Sequence, residues 1–175
     1  MNRRTAVRNI IIISAGAPLL PSCSSSPVES SLRFKHIPLT SSQEKMLVEL
    51  TATIIPTTSN FVGAKDLQSH RFTLLMVDDC ASPEDQGTFT DSMKAFEEFC
   101  KKKFDTTFVK CTPQQRNELL QELEASKDEK DGAAKFYKAV KRYTIQDFMS
   151  SKEYLSDVVK WKITPGSNFK GCVPI

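Results

Sequence analysis

Glycine is scarce in this chain, with six residues in 175, and none falls in a G-x-G-x-x-G or G-x-x-x-x-G-K-[ST] arrangement. The glycine-rich loops that cradle phosphates are therefore missing. Histidine is scarcer still. His36 and His70 stand far apart, in no H-E-x-x-H or H-x-H spacing, so a metal site would have to gather ligands from several elements. There is no Cys-x-x-Cys-His for covalent haem attachment and no G-x-S-x-G elbow for a nucleophilic serine. The one long apolar run lies before residue 22 and is broken by Pro18 and Pro21, which excludes a transmembrane helix there. A surplus of one charge sign is also lacking. The net charge of +3 resides in Arg3, Arg4 and Arg8, because residues 1–22 carry no acid and the remainder balances 21 basic against 21 acidic residues. A balanced body has no basic face with which to neutralise phosphates, so no nucleic-acid partner is expected. The carboxylate pair Asp78-Asp79 is adjacent on a helix, points in two directions, and reads as solvation of the helix end. No catalytic, cofactor-binding or metal-binding residue is assigned to this chain.

What is present begins with an address. Asn2-Arg3-Arg4-Thr5-Ala6-Val7-Arg8 precedes Asn9-Ile10-Ile11-Ile12-Ile13, the charged-then-apolar order of an export signal. The paired Arg3-Arg4 resembles a twin-arginine signal, which carries proteins already folded. Leu20-Pro21-Ser22-Cys23 resembles a lipobox, so residues 1–22 read as a signal peptide and Cys23 as a lipidated N-terminus. Acyl chains contribute ~0.8 kcal/mol per buried CH₂, and several of them hold a protein on a bilayer. The other reading is ordinary secretion with cleavage near Ala17 and Cys23 kept as a thiol. Residues 23–38 read as a polar tether, Ser-rich at Ser24-Ser25-Ser26, with a reach of about 20 Å. The expected location is the periplasmic side of the envelope.

Residues 39–175 read as one mainly α-helical domain of about five helices, an extended C-terminal arm, and at most a short β-hairpin. Apolar content of 39% with 11 Phe supports a packed core. Ser41 with Glu44 fits a capping box, followed by Met46, Leu47, Leu50 and Ile54 at helical spacing and by Pro56 as the stop. Asp66 opens a second helix through Val77. Ser82-Pro83-Glu84-Asp85 opens a third, with Phe89, Met93, Phe96 and Cys100 on one face. Its end, Lys101-Lys102-Lys103, is either a helix terminus that suits the dipole or a lipid-headgroup site. Thr112-Pro113-Gln114-Gln115 starts a fourth helix, with Leu119, Leu120 and Leu123 inward. Ala133 to about Asp147 makes the fifth, with Phe136, Val140, Tyr143 and Phe148 inward. Val158 to Ile163 alternates with period two and reads as a short strand.

If Cys23 is lipidated, Cys80, Cys100, Cys111 and Cys172 remain. They permit two disulfides in three connectivities, or stay as buried thiols. In the arm, Trp161, Pro165, Phe169 and Pro174 concentrate rigid apolar surface of the kind enriched at interfaces, unless the arm packs back on its own helices.

In order along the chain come Arg3-Arg4, Ile54-Ile55-Pro56-Thr57-Thr58, Val62-Gly63-Ala64, Tyr143-Thr144 to Phe148 and Ser151, and Pro165-Gly166 to Gly171-Cys172-Val173-Pro174. This series resembles the gluconate 2-dehydrogenase subunit 3 family over about 135 residues. It departs from the family pattern at Val62, where Pro is usual, and at Lys152, near the usual Ser-Glu-x-Gly turn. The resemblance implies a small, cofactor-free accessory subunit. Its partner would be a GMC-type flavoprotein that holds FAD and oxidises a sugar, sugar acid or polyol, with a cytochrome c subunit or quinone taking the electrons. Arg3 and Arg4 would then export the folded pair, Cys23 would anchor it, and the Phe61–Lys65 loop would join Trp161, Pro165, Gly166, Phe169, Gly171, Cys172 and Pro174 at the partner surface. The rival from another class is a stand-alone envelope lipoprotein that binds a ligand or acts as a scaffold.

Overall fold

A computed structural model of the chain describes residues 33–128 and 130–161. The signal and tether positions up to residue 32 and the arm from 162 onward lie outside the described residues. Four of the five α-helices among the described residues begin where a side chain takes up an orphan amide of the first turn. Helix α1 (Ser41–Ile54) is capped by Thr40, whose hydroxyl accepts from Gln43 N while the Gln43 side chain accepts from Thr40 N. The box therefore sits one residue before the Ser41/Glu44 pair. Both registers satisfy the motif, but the Gln43 amide also donates to Glu97 at 3.2 Å, and that bond selects the earlier one.

Helix α2 (Ser69–Cys80) starts later than Asp66 suggests. The chain first turns through residues 64–68 and passes Gln68 at φ 57°, while Asp66 accepts from the Thr57 hydroxyl and is spent on the loop. Helix α3 (Pro83–Phe104) follows the expected device, with Ser82 capping Asp85 N and Pro83 in the first turn. A 3₁₀ turn (Phe108–Lys110) leads to α4 (Pro113–Ala125), capped by the Thr112/Gln115 box. Helix α5 (Gly132–Ser150) is capped by Asp131. It is followed by a π turn (Tyr154–Val158). The body is thus mainly α, with five α-helices among the described residues, as expected.

The strand expected from Val158 is not formed in its described part. Val159 N donates to Tyr154 O at 3.1 Å, Trp161 N donates to Leu155 O at 2.8 Å, and Lys160 adopts φ 56°. These amides are satisfied within a turn, and no neighbouring strand competes for them among the described residues. Lys162 and Ile163 lie outside the described residues.

Helix α5 is the centre of the packing, and α3 is its main partner. Phe136 meets Phe89 at 5.2 Å and Phe96 at 5.3 Å between ring centroids, and Phe96 meets Phe108 at 5.4 Å, all tilted. Each such side chain stabilises by ~1.5–3 kcal/mol through burial, and tilted aromatic pairs add to that. Gly132 lets α5 start close against α3, since a Cβ there would stand 3.0 Å from Ala95 Cβ. Leu119, Leu120 and Leu123 bring α4 onto the same core, as their spacing implies. Lys103 at the end of α3 pairs with Glu118 and Glu122 of α4. That assigns this member of the lysine triplet to helix docking.

Two carboxylates hold the periphery. Glu49 on α1 meets Arg116 of α4 at 2.6 Å, and Arg116 also donates to the carbonyls of Phe108 and Val109. The hydrogen bond from Arg116 holds the Glu49 carboxyl below its usual range against the opposing effect of burial. Asp78 does not solvate a helix end. It is 5% exposed and accepts from the backbone amides of Lys35, His36 and Ile37 at 3.0, 2.7 and 3.1 Å. Ile37 is buried beside it, so the stretch read as the end of the tether is bound to the body from residue 35. Burial alone would raise the Asp78 carboxyl, but the three amides outweigh it and hold it below 3.8.

The loop between α1 and α2 is folded around Thr57 and Thr58. Gly63 N donates to Thr57 Oγ1, the Asn60 and Phe61 amides donate to Thr58 Oγ1, and Ala64 N donates back to Ile55 O at 2.9 Å. A Cβ at position 63 would press into the backbone of Pro56 and Thr57. The close approach of two backbones explains why Ile-Ile-Pro-Thr and Gly-Ala occur together in this chain.

Two outcomes follow from these arrangements. Asp78→Ala strands three backbone donors and lowers stability at neutral pH by about 2–3 kcal/mol, read by urea unfolding. Because the folded carboxyl is depressed, the charge-dependent part of its contribution is present above 3.8 and is lost as pH falls through the folded value, so the gap between wild type and variant narrows in acid. A gap that persists unchanged at low pH would contradict the assignment. Gly63→Ala costs about 1–3 kcal/mol by overpacking, and a melting curve unchanged from wild type would show that the loop is free to move aside.

Candidate functional site

The folded loop leaves Phe61 and Val62 at its tip, with Phe61 49% exposed. Lys65 reaches back to Glu49 at 3.4 Å, which ties the loop to α1 and to the Arg116 network. Ser69, fully buried at the start of α2, donates through its amide to Ala64 O and through its hydroxyl to Asp147 Oδ2 at 2.6 Å. This pair of bonds sets the loop beside the C-terminal half of α5.

That half of α5 carries apolar side chains on its outer face. Ile145 and Met149, four residues apart, are exposed, Met149 by 51%. The chain then folds back on itself. Phe148 and Tyr154 stack at 5.2 Å, and the Ser151 hydroxyl donates to Phe148 O while accepting from Tyr154 N. The Phe148-to-Ser151 motif is therefore a corner that turns the chain out of α5. Beyond the corner Val158, Val159 and Trp161 are exposed, Trp161 by 56%. The loop, the outer face of α5 and the π turn thus each expose apolar side chains. Single exposed hydrophobes are ordinary, and their presence on three elements makes them candidates for an interaction surface.

Of the residues expected at the partner surface, Phe61, Lys65 and Trp161 are described, with Phe61 and Trp161 exposed and Lys65 paired with Glu49. Pro165, Gly166, Phe169, Gly171, Cys172 and Pro174 lie outside the described residues, as do Arg3, Arg4 and Cys23. Ile145 and Met149 were not singled out in the sequence. Their signal was a pair of apolar residues off the inward stripe of Phe136, Val140 and Thr144. Among the cysteines, Cys80 is exposed, while Cys100 and Cys111 are buried against each other.

An open cleft of about 440 Å³ lies between the end of α2, α3 and α5, floored by Phe89 and Phe136 and edged by Asp85, Lys135 and Arg142. Among the described residues no three His, Cys, Asp or Glu side chains converge as a metal site. His70 Nδ1 is buried without a hydrogen-bond partner, and burial depresses the pKa of the ring, favouring its neutral form. No described helix is long and apolar enough to cross a membrane.

No curated protein and no solved structure matches the chain. The family model described as gluconate 2-dehydrogenase subunit 3 matches residues 41–166, which spans every helix of the body, the loop and the exposed end. The chain belongs to the gluconate 2-dehydrogenase subunit 3 family.

Proposed function

We propose that this chain is the non-catalytic accessory subunit of a membrane-associated, FAD-dependent dehydrogenase that oxidises a sugar, sugar acid or polyol. Its partner is a GMC-type flavoprotein large subunit, which holds the FAD and carries the catalysis. A cytochrome c subunit or a quinone takes the electrons. Arg3 and Arg4 supply the twin-arginine export signal for the folded pair, and Cys23 anchors it on the periplasmic side of the envelope. The observation that supports the docking role is the exposure of the apolar side chains Phe61, Ile145, Met149 and Trp161, all within the span matched by the family. Aromatic anchors set in an apolar patch are where binding energy concentrates, and the charge-balanced body suits a packed interface.

The Trp161 arm and the Phe61 loop are the contact elements in this reading. Trp161→Ala combined with Met149→Glu weakens the large-subunit complex by about 2 kcal/mol or more, roughly 30-fold in Kd, as read by titration of the purified subunits. Both side chains are exposed, so the melting temperature of the variant chain stays at the wild-type value. Unchanged affinity would move the interface elsewhere. Replacing Arg3 and Arg4 by Lys leaves both this chain and its flavoprotein in the cytoplasm. A flavoprotein found outside the cytoplasm at its normal level in that strain would overturn the shared-export reading.

A further inference from the structure

The Cys100 and Cys111 sulfurs lie 3.6 Å apart in the core. Cys100 is fully buried in the last turns of α3, and Cys111, 5% exposed, follows the 3₁₀ turn. Their positions are fixed from several sides. Phe108 is packed on Phe96, its carbonyl and that of Val109 are bound by Arg116, and the Arg116 guanidinium sits 5.3 Å over the Phe108 ring. The Thr106 carbonyl stands 3.6 Å from Cys100 Sγ. The segment between the two cysteines is thus pinned, and each thiol has the other as its neighbour.

We propose that Cys100 and Cys111 are a redox pair that closes to an intrachain disulfide across the corner between α3 and α4. The sulfurs must approach from 3.6 Å to about 2.05 Å, a movement within reach of side-chain rotation and a small shift of the helix end. The oxidant is a disulfide compound, either a small molecule or a thiol–disulfide exchange protein. Cys111, the more accessible thiol, gives up its proton and attacks one sulfur of that compound, releasing a first thiolate. Cys100 then loses its proton and attacks the Cys111 sulfur of the mixed disulfide, releasing the second thiolate. The pair loses two electrons and two protons, and the oxidant is reduced to two thiols. Burial and the neighbouring Cys111 push the Cys100 thiol up to about 12, so Cys100 is not the thiol that attacks first and its resolving step is the slow one. Of the connectivities that four cysteines allow, this pairing leaves Cys80 and Cys172 outside it.

The bond would join α3 to the start of α4 on either side of the turn that carries Phe108. Reduced, the two thiols pack as small hydrophobes, so the body is able to fold before the bond forms. The inference concerns the folded chain itself and does not rest on the export or partner reading.

The test uses the purified full chain incubated with either oxidised or reduced glutathione. It is then unfolded, blocked with a maleimide and digested with trypsin without reduction. Lys94, Lys101, Lys110 and Arg116 place the two cysteines in separate peptides, 95–101 and 111–116. The expected result with oxidised glutathione is a cross-linked peptide pair two hydrogens lighter than the two free peptides. Cys80→Ser keeps that product and Cys111→Ser abolishes it. The melting temperature of the wild type rises by about 5–10 °C on oxidation, while Cys111→Ser shows no rise. Both thiols recovered with maleimide, a glutathione adduct that stays on Cys111, or a link to Cys80 or Cys172 instead would each overturn the pairing. Because no partner protein is present, none of these results bears on the accessory-subunit reading.

Discussion

Phe136 on α5 touches Phe89 and Phe96 on α3, and Phe96 passes the contact to Phe108 in the 3₁₀ turn. This line of tilted rings fixes α5 along the length of α3, and the other helices are placed against it. With α5 held, its far end becomes a platform. Asp147 receives the Ser69 hydroxyl there, and Phe148 receives the ring of Tyr154. The loop before α2 and the turn after α5 are thereby set at the same end of the bundle, although about 80 residues of chain separate them. The placement of the loop beside α5 is a consequence of the aromatic core, transmitted through one part-buried hydrogen bond.

The motifs shared with the family acquire physical reasons from this arrangement. Pro56 ends α1, Thr57 and Thr58 bind the amides of the loop that follows, and Gly63 lacks the Cβ that would press into Pro56 and Thr57. Ser151 turns the chain out of α5 and caps the π turn. These residues shape a surface, which is what an accessory subunit requires of its sequence.

Helix existence and the inward faces were legible because capping boxes and 3.6-residue spacing are local signals. Ser82-Pro83 and Thr112-Gln115 start helices where they were expected, and Phe89, Met93, Phe96 and Cys100 are buried together. The Thr40 start was displaced by one residue because its choice depends on the bond from Gln43 to Glu97, 54 positions further on. Asp78 was illegible for the same reason, since its partners are amides 41 to 43 residues earlier and nothing near Asp78 announces them. The period-two run at Val158 misled because alternation implies a strand only where another strand stands ready to pair. At the docking surface, Phe61 and Trp161 were visible as exposed-aromatic candidates. Ile145 and Met149 needed the fold to show that α5 has a second, unburied apolar edge.

The account rests on this chain being one half of a flavoprotein complex. The most direct measurement is to isolate the full-length chain from its native membranes by an affinity tag and to record protein stoichiometry and flavin absorbance in the same peak. The account predicts a large flavoprotein in equimolar amount, carrying the flavin and the dehydrogenase activity. A chain that elutes alone, with no flavin and no large subunit after mild solubilisation, would contradict it.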